Sequence, residues 1–282
     1  MTALTTHPDT RAGADARLPA RRTSPLSARS GGARTIFGRQ ARAELIKLLR
    51  APDFVAPVVL LPVVLFALFG SPSIGVVTPE GLAIGPLLAA SFSAYGVLGI
   101  VLFTFGEAVA AERGLGWLRL IRATPLPGWA FIAAKVTAGL ALVVVFLIVM
   151  IPAATLLGVR MDAIAWLRLG LVVAAGGVAL APIGFVVGYL VRPSAAGAVA
   201  LLAYLPLSYA SGMWTPISEL PDVVQGIASF LPTYHLTQLA HAAVGVPVGD
   251  VAGHAAFLAA TFVVAGGLAA VAYRRVAARQ FA

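Results

Sequence analysis

Five of the residues that could do chemistry or bind a charged partner fall in the segment 112–135: Glu112, Arg113, Arg119, Arg122 and Lys135. This segment separates two strongly apolar stretches. Because charge is costly in hydrocarbon, we expect these side chains to lie in water or against a partner. Gly114, Gly116 and the two prolines of the 124–128 run predict a short helix that begins at Glu112, then a sharp turn and a new apolar helix.

Residue patterns typical of enzymes are missing from this sequence. Lys47 and Lys135 are the only lysines and neither follows a glycine, so no G-x-x-x-x-G-K-[ST] loop is present to hold ATP. The absence of cysteine excludes thiol catalysis and cysteine metal sites. The spacing of His235 and His241 does not fit the H-E-x-x-H pattern of a zinc protease, and we expect interfacial polar groups there. We therefore predict no catalytic residue, no metal and no cofactor in this chain.

The composition predicts a polytopic, all-α membrane protein. The 282 residues are 60% hydrophobic and 11% charged, with a mean hydropathy of +0.93, whereas soluble domains have about 25% charged residues. The net charge of +9 could indicate a nucleic-acid partner. The basic residues, however, lie in the N-terminal tail and in short loops that face one side, which membrane topology explains without nucleic acid.

The N-terminal region predicts two different elements. Residues 1–34 are rich in Arg, Ala, Ser, Pro and Gly without an apolar period, so we expect a disordered basic tail that stays inside the cell or touches anionic lipid. Residues 35–51 predict an interfacial amphipathic helix, with Leu45 and Leu48 on one face and Arg42 and Lys47 on the other.

Residues 35–282 form one predicted transmembrane domain, because six apolar stretches are each long enough to cross a bilayer: 54–70, 86–108, 129–157, 164–190, 196–213 and 252–273. The loops 71–85 and 214–251 have no Lys or Arg, so we expect them outside. The 109–128 segment, the Arg192 turn and the basic C-terminus then lie inside. The loop 214–251 also has an apolar helical pattern between Pro221 and Pro232, which predicts a re-entrant segment in the outer leaflet before the last span.

Three parts of the sequence resemble the type-2 permeases of ATP-binding-cassette (ABC) transporters, as found in bacterial drug and polysaccharide exporters. The matching residues of the segment between the second and third spans are Glu112, Arg113, Gly114, Leu118, Leu120, Pro125 and Lys135. The N-terminal helix matches at Glu44, Arg50 and Pro52. The outer segment matches at Ser211–Gly212, Pro216, Leu220–Pro221, Gln225, Pro232 and Tyr234–His235.

The resemblance implies that the segment after the second span is a coupling helix that seats in a separate ATPase subunit. The residues then expected to couple to that ATPase are Glu107, Glu112, Arg113, Gly114, Leu118, Arg119, Leu120, Pro125 and Lys135. ATP and Mg would be bound by the partner ATPase, and a second permease subunit, identical or different, would complete the path. By itself, the segment is equally typical of a solvated basic loop whose charges reflect only the positive-inside rule.

Polar residues inside apolar spans are candidates for lining a transport path: Ser91, Ser93, Tyr95, Thr104, Tyr204, Ser208, Tyr209 and Ser211. Serine, threonine and small residues also commonly mediate helix packing in membranes, and that interpretation is the stronger one for several of them. No span carries an ionisable residue near its middle, which argues against an ion-driven carrier.

Together these observations favour a permease subunit of an ABC exporter that moves an amphiphilic or lipid-like substrate, such as a drug or antibiotic, outward. We expect a multi-pass protein of the bacterial inner membrane with both termini in the cytoplasm. The alternative is a non-transport membrane scaffold or sensor that uses the basic tail.

Overall fold

The computed structural model describes residues 33–79, 81–116 and 128–279, and they are helical apart from turns, loops and one isolated β-bridge. Six helical segments among them are long and apolar enough to cross a membrane: Pro52–Ser73, Ile84–Gly114, Gly128–Leu156, Ala163–Leu190, Pro193–Ala210 and Val251–Val276. We call them spans 1 to 6. The predicted all-α fold with six membrane-spanning helices is confirmed.

Three spans change helix type along their length. Span 1 is α-helical over Pro52–Leu65, π-helical over Phe66–Gly70 and 3-10 helical over Ser71–Ser73. Span 2 is α-helical over Ile84–Ile100, π-helical over Val101–Glu107 and α-helical again over Ala108–Gly114. A 3-10 turn, Pro193–Ala195, opens span 5 before its α-helix at Ala196–Ala210. Span 6 is part of the helix Val251–Arg279.

Span 2 is the central helix of the fold, since 83% of its most apolar stretch is buried, against 22% for spans 5 and 6. Span 4 packs against the π-helical part of span 2 and against span 6. Glycines allow this close approach. A Cβ atom on Gly184 would lie 2.5 Å from the Val101 carbonyl oxygen, and one on Gly188 would lie 2.6 Å from that of Phe105. Small residues thus bring two membrane helices into backbone contact.

Three further helices flank the spans. The N-terminal helix, Ala33–Leu49, packs along span 3 and ends in a turn before Pro52. At the opposite ends of the spans, a 3-10 turn precedes the helices Asp222–Ala228 and Pro232–Ala243. The helix Pro232–Ala243 packs against spans 2, 4 and 6. Whether the N-terminal helix lies at an interface and whether the outer helices are re-entrant stay predictions. The predicted disordered tail falls outside the described residues, except for Ala33 and Arg34 at the start of the helix.

Candidate functional site

Two lysines and two glutamates form a charge cluster where the N-terminal helix meets spans 2 and 3. Lys135 Nζ donates to Glu112 Oε1 at 2.8 Å and to Glu44 Oε2 at 3.2 Å. Lys47 donates to the same Glu112 oxygen and lies 3.9 Å from Glu44. The N-terminal helix contributes Glu44 and Lys47, span 2 contributes Glu112 and span 3 contributes Lys135, so the cluster joins the N-terminal helix to the ends of two spans. Two positive and two negative charges balance to zero.

The cluster is largely removed from water. Lys135, Glu44 and Glu112 are only 4%, 6% and 7% exposed, whereas the Lys47 side chain is 52% exposed. Lys135 also lies 5.2 Å from the Phe131 ring centroid, within cation–π range. Burial, and next the nearby Lys135 charge, lower the pKa of Lys47. Buried charges are tolerated when they are paired and hydrogen-bonded, which this arrangement provides.

The structure corrects the expected environment of Glu112. The sequence predicts that Glu112 begins a new helix in water or at a partner surface. Instead Glu112 is buried near the end of Ala108–Gly114, the helix that completes span 2. That helix stops at Leu115, and Gly116 follows with a φ of +74°. The sequence pattern identified a charged helix end. It did not show that Lys135 of span 3 forms an ion pair with Glu112, which allows Glu112 to be buried.

Arg113 ties span 2 to span 4. Its Nη1 atom donates to the Tyr189 carbonyl oxygen at 2.5 Å, and its Nη2 atom donates to the Val191 carbonyl oxygen. These carbonyls lie at the end of span 4, where backbone acceptors have no helical partner, and a basic residue stabilises such an end. The neighbouring Gly114 packs on Pro193, and a Cβ atom there would approach the proline ring to 2.9 Å. Arg113 and Gly114 therefore hold the spans together at this side.

The remaining coupling residues of the sequence prediction lie elsewhere. Leu118, Arg119, Leu120 and Pro125 fall outside the residues that the structure describes. Glu107 is described, but it is not part of the charge cluster. It lies on the side of span 2 that faces Gly197 at the start of span 5, where an added Cβ would lie 2.9 Å from its carboxylate.

Residues 80–271 match the family model described as "ABC-2 family transporter protein". The chain belongs to the ABC-2 transporter family. It is also similar to a protein of Bacillus subtilis (strain 168) named "Putative transport permease YvfS", with 26% identity over 205 residues. That alignment covers 71% of this chain and 82% of the Bacillus protein. The resemblance proposed from the sequence is thereby confirmed at the level of the family, and the protein is a transport permease of the multi-pass class.

The serines proposed to line a path in this ABC-2 permease form hydrogen bonds with other residues of the fold. Ser91 contacts His241 Nε2 at 2.7 Å, and Ser93 donates to the Ala89 carbonyl oxygen. In span 5, Ser208 accepts from Trp214, and Ser211 pairs with Thr233 at 2.5 Å. Satisfied serines of this kind support helix packing, although they leave the lining prediction untested.

The aromatic and threonine candidates differ from the serines. Tyr95 and Tyr204 stack with ring centroids 4.3 Å apart, and the Tyr204 hydroxyl donates to the Tyr95 carbonyl oxygen at 3.1 Å. Tyr209 is 46% exposed on the outside of span 5. The Thr104 hydroxyl is buried without a hydrogen-bond partner in the described part of the chain and lines a cavity of about 100 Å³ beside the charge cluster.

Tyr204 also lines a cavity between spans 1, 2 and 5 in this ABC-2 permease. The cavity holds about 220 Å³, and its walls are mainly apolar. Phe103 contributes a second aromatic ring, while Asp53 and Glu107 add two carboxylates. In the described residues neither carboxylate makes an ion pair or a hydrogen bond. The sequence predicts that span 2 ends at residue 108, next to Glu107, but the span continues to Gly114, and the sequence pattern did not associate Glu107 with Tyr204.

Sequence reasoning missed a histidine pair in the outer helices. His235 Nδ1 lies 2.7 Å from His254 Nδ1, and His235 Nε2 lies 2.9 Å from the Ser229 carbonyl oxygen. Because a carbonyl only accepts, His235 carries its proton on Nε2 and accepts from His254 at Nδ1. The Phe257 ring stacks on His235 at 3.9 Å. No group of three metal-binding side chains occurs in the described ranges, and the pair links Pro232–Ala243 to span 6 by a hydrogen bond.

Proposed function

We propose that this ABC-2 permease is the membrane-spanning subunit of an exporter, powered by a separate ATPase subunit that binds the segment between spans 2 and 3. The observation that carries the proposal is the charge cluster. The segment 117–127 connects span 2, which carries Glu112 near its end, to span 3, which carries Lys135 near its start, so the two spans that flank the segment belong to one ion-paired unit.

The cluster offers a mechanical route for coupling. A partner that moves the 117–127 segment would pull on the end of span 2 and the start of span 3 together, because Glu112 and Lys135 are bonded to each other. The N-terminal helix would follow through Glu44, and span 4 would follow through Arg113. Tightly packed elements transmit such displacements as rigid bodies. Glu112, Arg113, Gly114 and Lys135 then act by transmitting motion, while Leu118, Arg119, Leu120 and Pro125 would contact the ATPase itself.

The cavity between spans 1, 2 and 5 supports an amphiphilic or lipid-like substrate. Its apolar and aromatic walls suit a hydrophobic body, and Asp53 and Glu107 at one end disfavour an anionic head group. A volume of about 220 Å³ holds only part of a drug-sized molecule. A second permease subunit facing this surface would complete the path, which is the basis for proposing a dimer.

The distribution of basic residues supports a cytoplasmic location for both termini and for the 117–127 segment. The side with the N-terminal helix, Arg113, Arg192 and Arg275 is the basic side of the protein, and the connections at the other ends of the spans contain Lys or Arg only at Arg160. Basic loops remain in the cytoplasm during insertion, and we therefore propose that both termini and the 117–127 segment lie there. A cytoplasmic ATPase could then reach that segment. We place the protein in the bacterial inner membrane on this basis.

The experiment that tests this proposal compares Arg119→Glu with Glu219→Lys, a charge reversal at an exposed position on the opposite side. Membrane abundance, co-purification of the ATPase and efflux of a cationic amphiphilic dye would be measured for both. We expect Arg119→Glu to lose the ATPase and the efflux at normal abundance, and Glu219→Lys to retain both. Normal efflux in Arg119→Glu would reject the coupling assignment. ATP hydrolysis by the purified permease alone would reject its dependence on a partner.

A further inference from the structure

A pocket with three arginines opens on the basic side, where span 2 ends, span 4 passes into span 5 and span 6 ends. It encloses about 440 Å³, and its charged side chains are Arg113, Arg192 and Arg275. Leu190 and Val276 supply apolar walls. Among the described residues no carboxylate lines the pocket, so the field of these side chains is positive and suited to an anion.

The positive charges in this pocket have no acidic partner in the described residues. Arg192 and Arg275 make no ion pair there, and both are exposed. Arg113 uses its two terminal nitrogens on backbone carbonyls, which leaves its charge uncompensated and its buried Nε without a hydrogen-bond partner. Glu112, next to it in sequence, is already paired with lysines.

A tyrosine at the end of span 4 contributes to the wall of the same pocket. Tyr189 is 1% exposed, lines the pocket, and has no hydrogen-bond partner for its hydroxyl in the described part of the chain. Tyr189 therefore adds to the wall of the pocket, and the arginines supply its charge for an anion.

An apolar stripe on span 6 leads directly to the arginine pocket. Val264, Leu268 and Val271 are 65%, 58% and 46% exposed, and with Arg275 they follow a spacing of four, three and four residues. That spacing puts all four on one face of a helix. In a bilayer this face meets acyl chains, and the stripe ends at a guanidinium group at the level of the headgroups.

We propose that the arginine pocket binds the phosphate headgroup of an anionic phospholipid from the leaflet on the basic side, with an acyl chain along the Val264–Leu268–Val271 stripe. Guanidinium groups match phosphate oxygens in geometry and charge, and basic pockets between the ends of membrane helices suit such headgroups. An acidic segment of a soluble protein would match the charges alone. The exposed apolar stripe, which continues into the membrane, favours the lipid. The bound lipid would stabilise the junction of spans 2, 4 and 6.

The test uses the purified full-length permease in detergent, titrated with phosphatidylglycerol or phosphatidylcholine and examined by native mass spectrometry. The variant is Arg192→Gln combined with Arg275→Gln. The matched control is Arg274→Gln, which removes an exposed neighbouring arginine that does not line the pocket. Arg113 is left unchanged because it also caps span 4. Each arginine near an anionic lipid contributes roughly fivefold in affinity.

We expect the native protein to prefer phosphatidylglycerol, the double variant to bind it about 25-fold more weakly, and Arg274→Gln to change its affinity less than twofold. Thermal unfolding of the lipid-free proteins would verify that all variants fold. A loss of about fivefold in the control, equal to the expected loss for each arginine of the double variant, would overturn the proposal, since it would indicate unspecific attraction to any arginine.

Two further measurements distinguish a bound phospholipid from free phosphate and from a protein partner. Displacement of phosphatidylglycerol by millimolar inorganic phosphate would indicate a site for the free anion and would reject the lipid. Unchanged lipid binding in the double variant, together with loss of the co-purified ATPase, would indicate a protein docking surface and would also reject it. Since lipid binding is measured without ATPase or substrate, the result does not depend on the proposed export function.

Discussion

Lys135 and Glu112 form an ion pair of 2.8 Å between Nζ and Oε1, although they lie in different spans on either side of the segment that connects spans 2 and 3. Lys135 is 4% exposed and has a second carboxylate, Glu44, at 3.2 Å. It is therefore the one buried cation shared by two buried anions in the described charge cluster. Removing one member of such a group leaves the others uncompensated, which costs far more than losing a surface ion pair.

Replacing Lys135 with methionine should strongly destabilise the permease. The two glutamates would stay buried with only the half-exposed Lys47 beside them, and breaking a buried pair typically costs about 3–5 kcal/mol. Lys47→Met is the matched control, with an expected loss of roughly 1 kcal/mol because half of that side chain is in water. Thermal unfolding in detergent and membrane abundance would be compared. Equal stability of the two variants would contradict the assigned role of Lys135.

Exchanging the charges of the central pair should restore part of what each reversal destroys. Glu112→Lys brings a third positive charge against Lys135 and Lys47, and Lys135→Glu brings a third carboxylate against Glu44. The double variant keeps the net charge and one opposite-charge pair. We expect both single variants to lose abundance and the double variant to recover a measurable part of it. A double variant that is no better than the worse single one would mean that position, rather than pairing, dominates.

The two sides of the protein should differ in their access to a membrane-impermeant thiol reagent. The chain has no native cysteine, so single cysteines need no background removal. Gly75 and Gly249 are exposed beyond the spans on one side and Gly38 on the other, each with room for a side chain. We expect Gly75→Cys and Gly249→Cys to be labelled in intact cells and Gly38→Cys only after lysis. The reverse pattern would invert the proposed orientation.

His241 should make stability depend on pH. It is buried in the helix Pro232–Ala243 beside Ser91, and burial lowers its pKa from 6.5 to about 4. Between these values the unfolded chain binds a proton that the folded protein rejects, so stability falls as the pH drops through this window. At pH 5 the loss relative to pH 7.5 is about 2 kcal/mol.

The measurement is the unfolding temperature in detergent at pH 5 and 7.5 for the native protein and for His241→Asn. Asparagine is polar and does not titrate, although its shorter side chain does not reach the position of the Nε2 atom that contacts Ser91. We expect a smaller pH difference in the variant. Identical pH differences would show that other groups, such as the His235–His254 pair, cause the effect.

The positions of the six spans were predictable because hydropathy acts locally. Any stretch of about 20 apolar residues must leave water, whichever helices it then packs against. Span 2 nevertheless continues to Gly114, beyond the predicted end at 108, because Glu112 is neutralised by Lys135 and does not need to reach water. The sequence gives the cost of burying each charged residue by itself. It does not show that Lys135 of another span will pair with Glu112 and remove that cost.

The partners at the candidate site were not predictable for the same reason. Glu44 and Lys135 are 91 residues apart, and the helical pattern of the N-terminal helix does not say which span it will pack on. The family resemblance selected Glu44, Glu112 and Lys135 individually, yet it gave no indication that they touch. The arginine pocket forms because the ends of spans 2, 4 and 6 lie side by side. This arrangement depends on how the helices pack, and the sequence pattern alone does not predict it.

The central position of span 2 has a consequence for how substitutions are tolerated across the chain. With 83% of its apolar stretch covered by protein, an exchange of one apolar residue for another there meets close-packed neighbours and leaves voids or clashes. In spans 5 and 6, with 22% covered, most positions meet fluid hydrocarbon, which adapts to the new shape. In a saturation-mutagenesis screen of abundance, span 2 should therefore behave as the interior of a water-soluble domain, whereas spans 5 and 6 should reject mainly charge and proline.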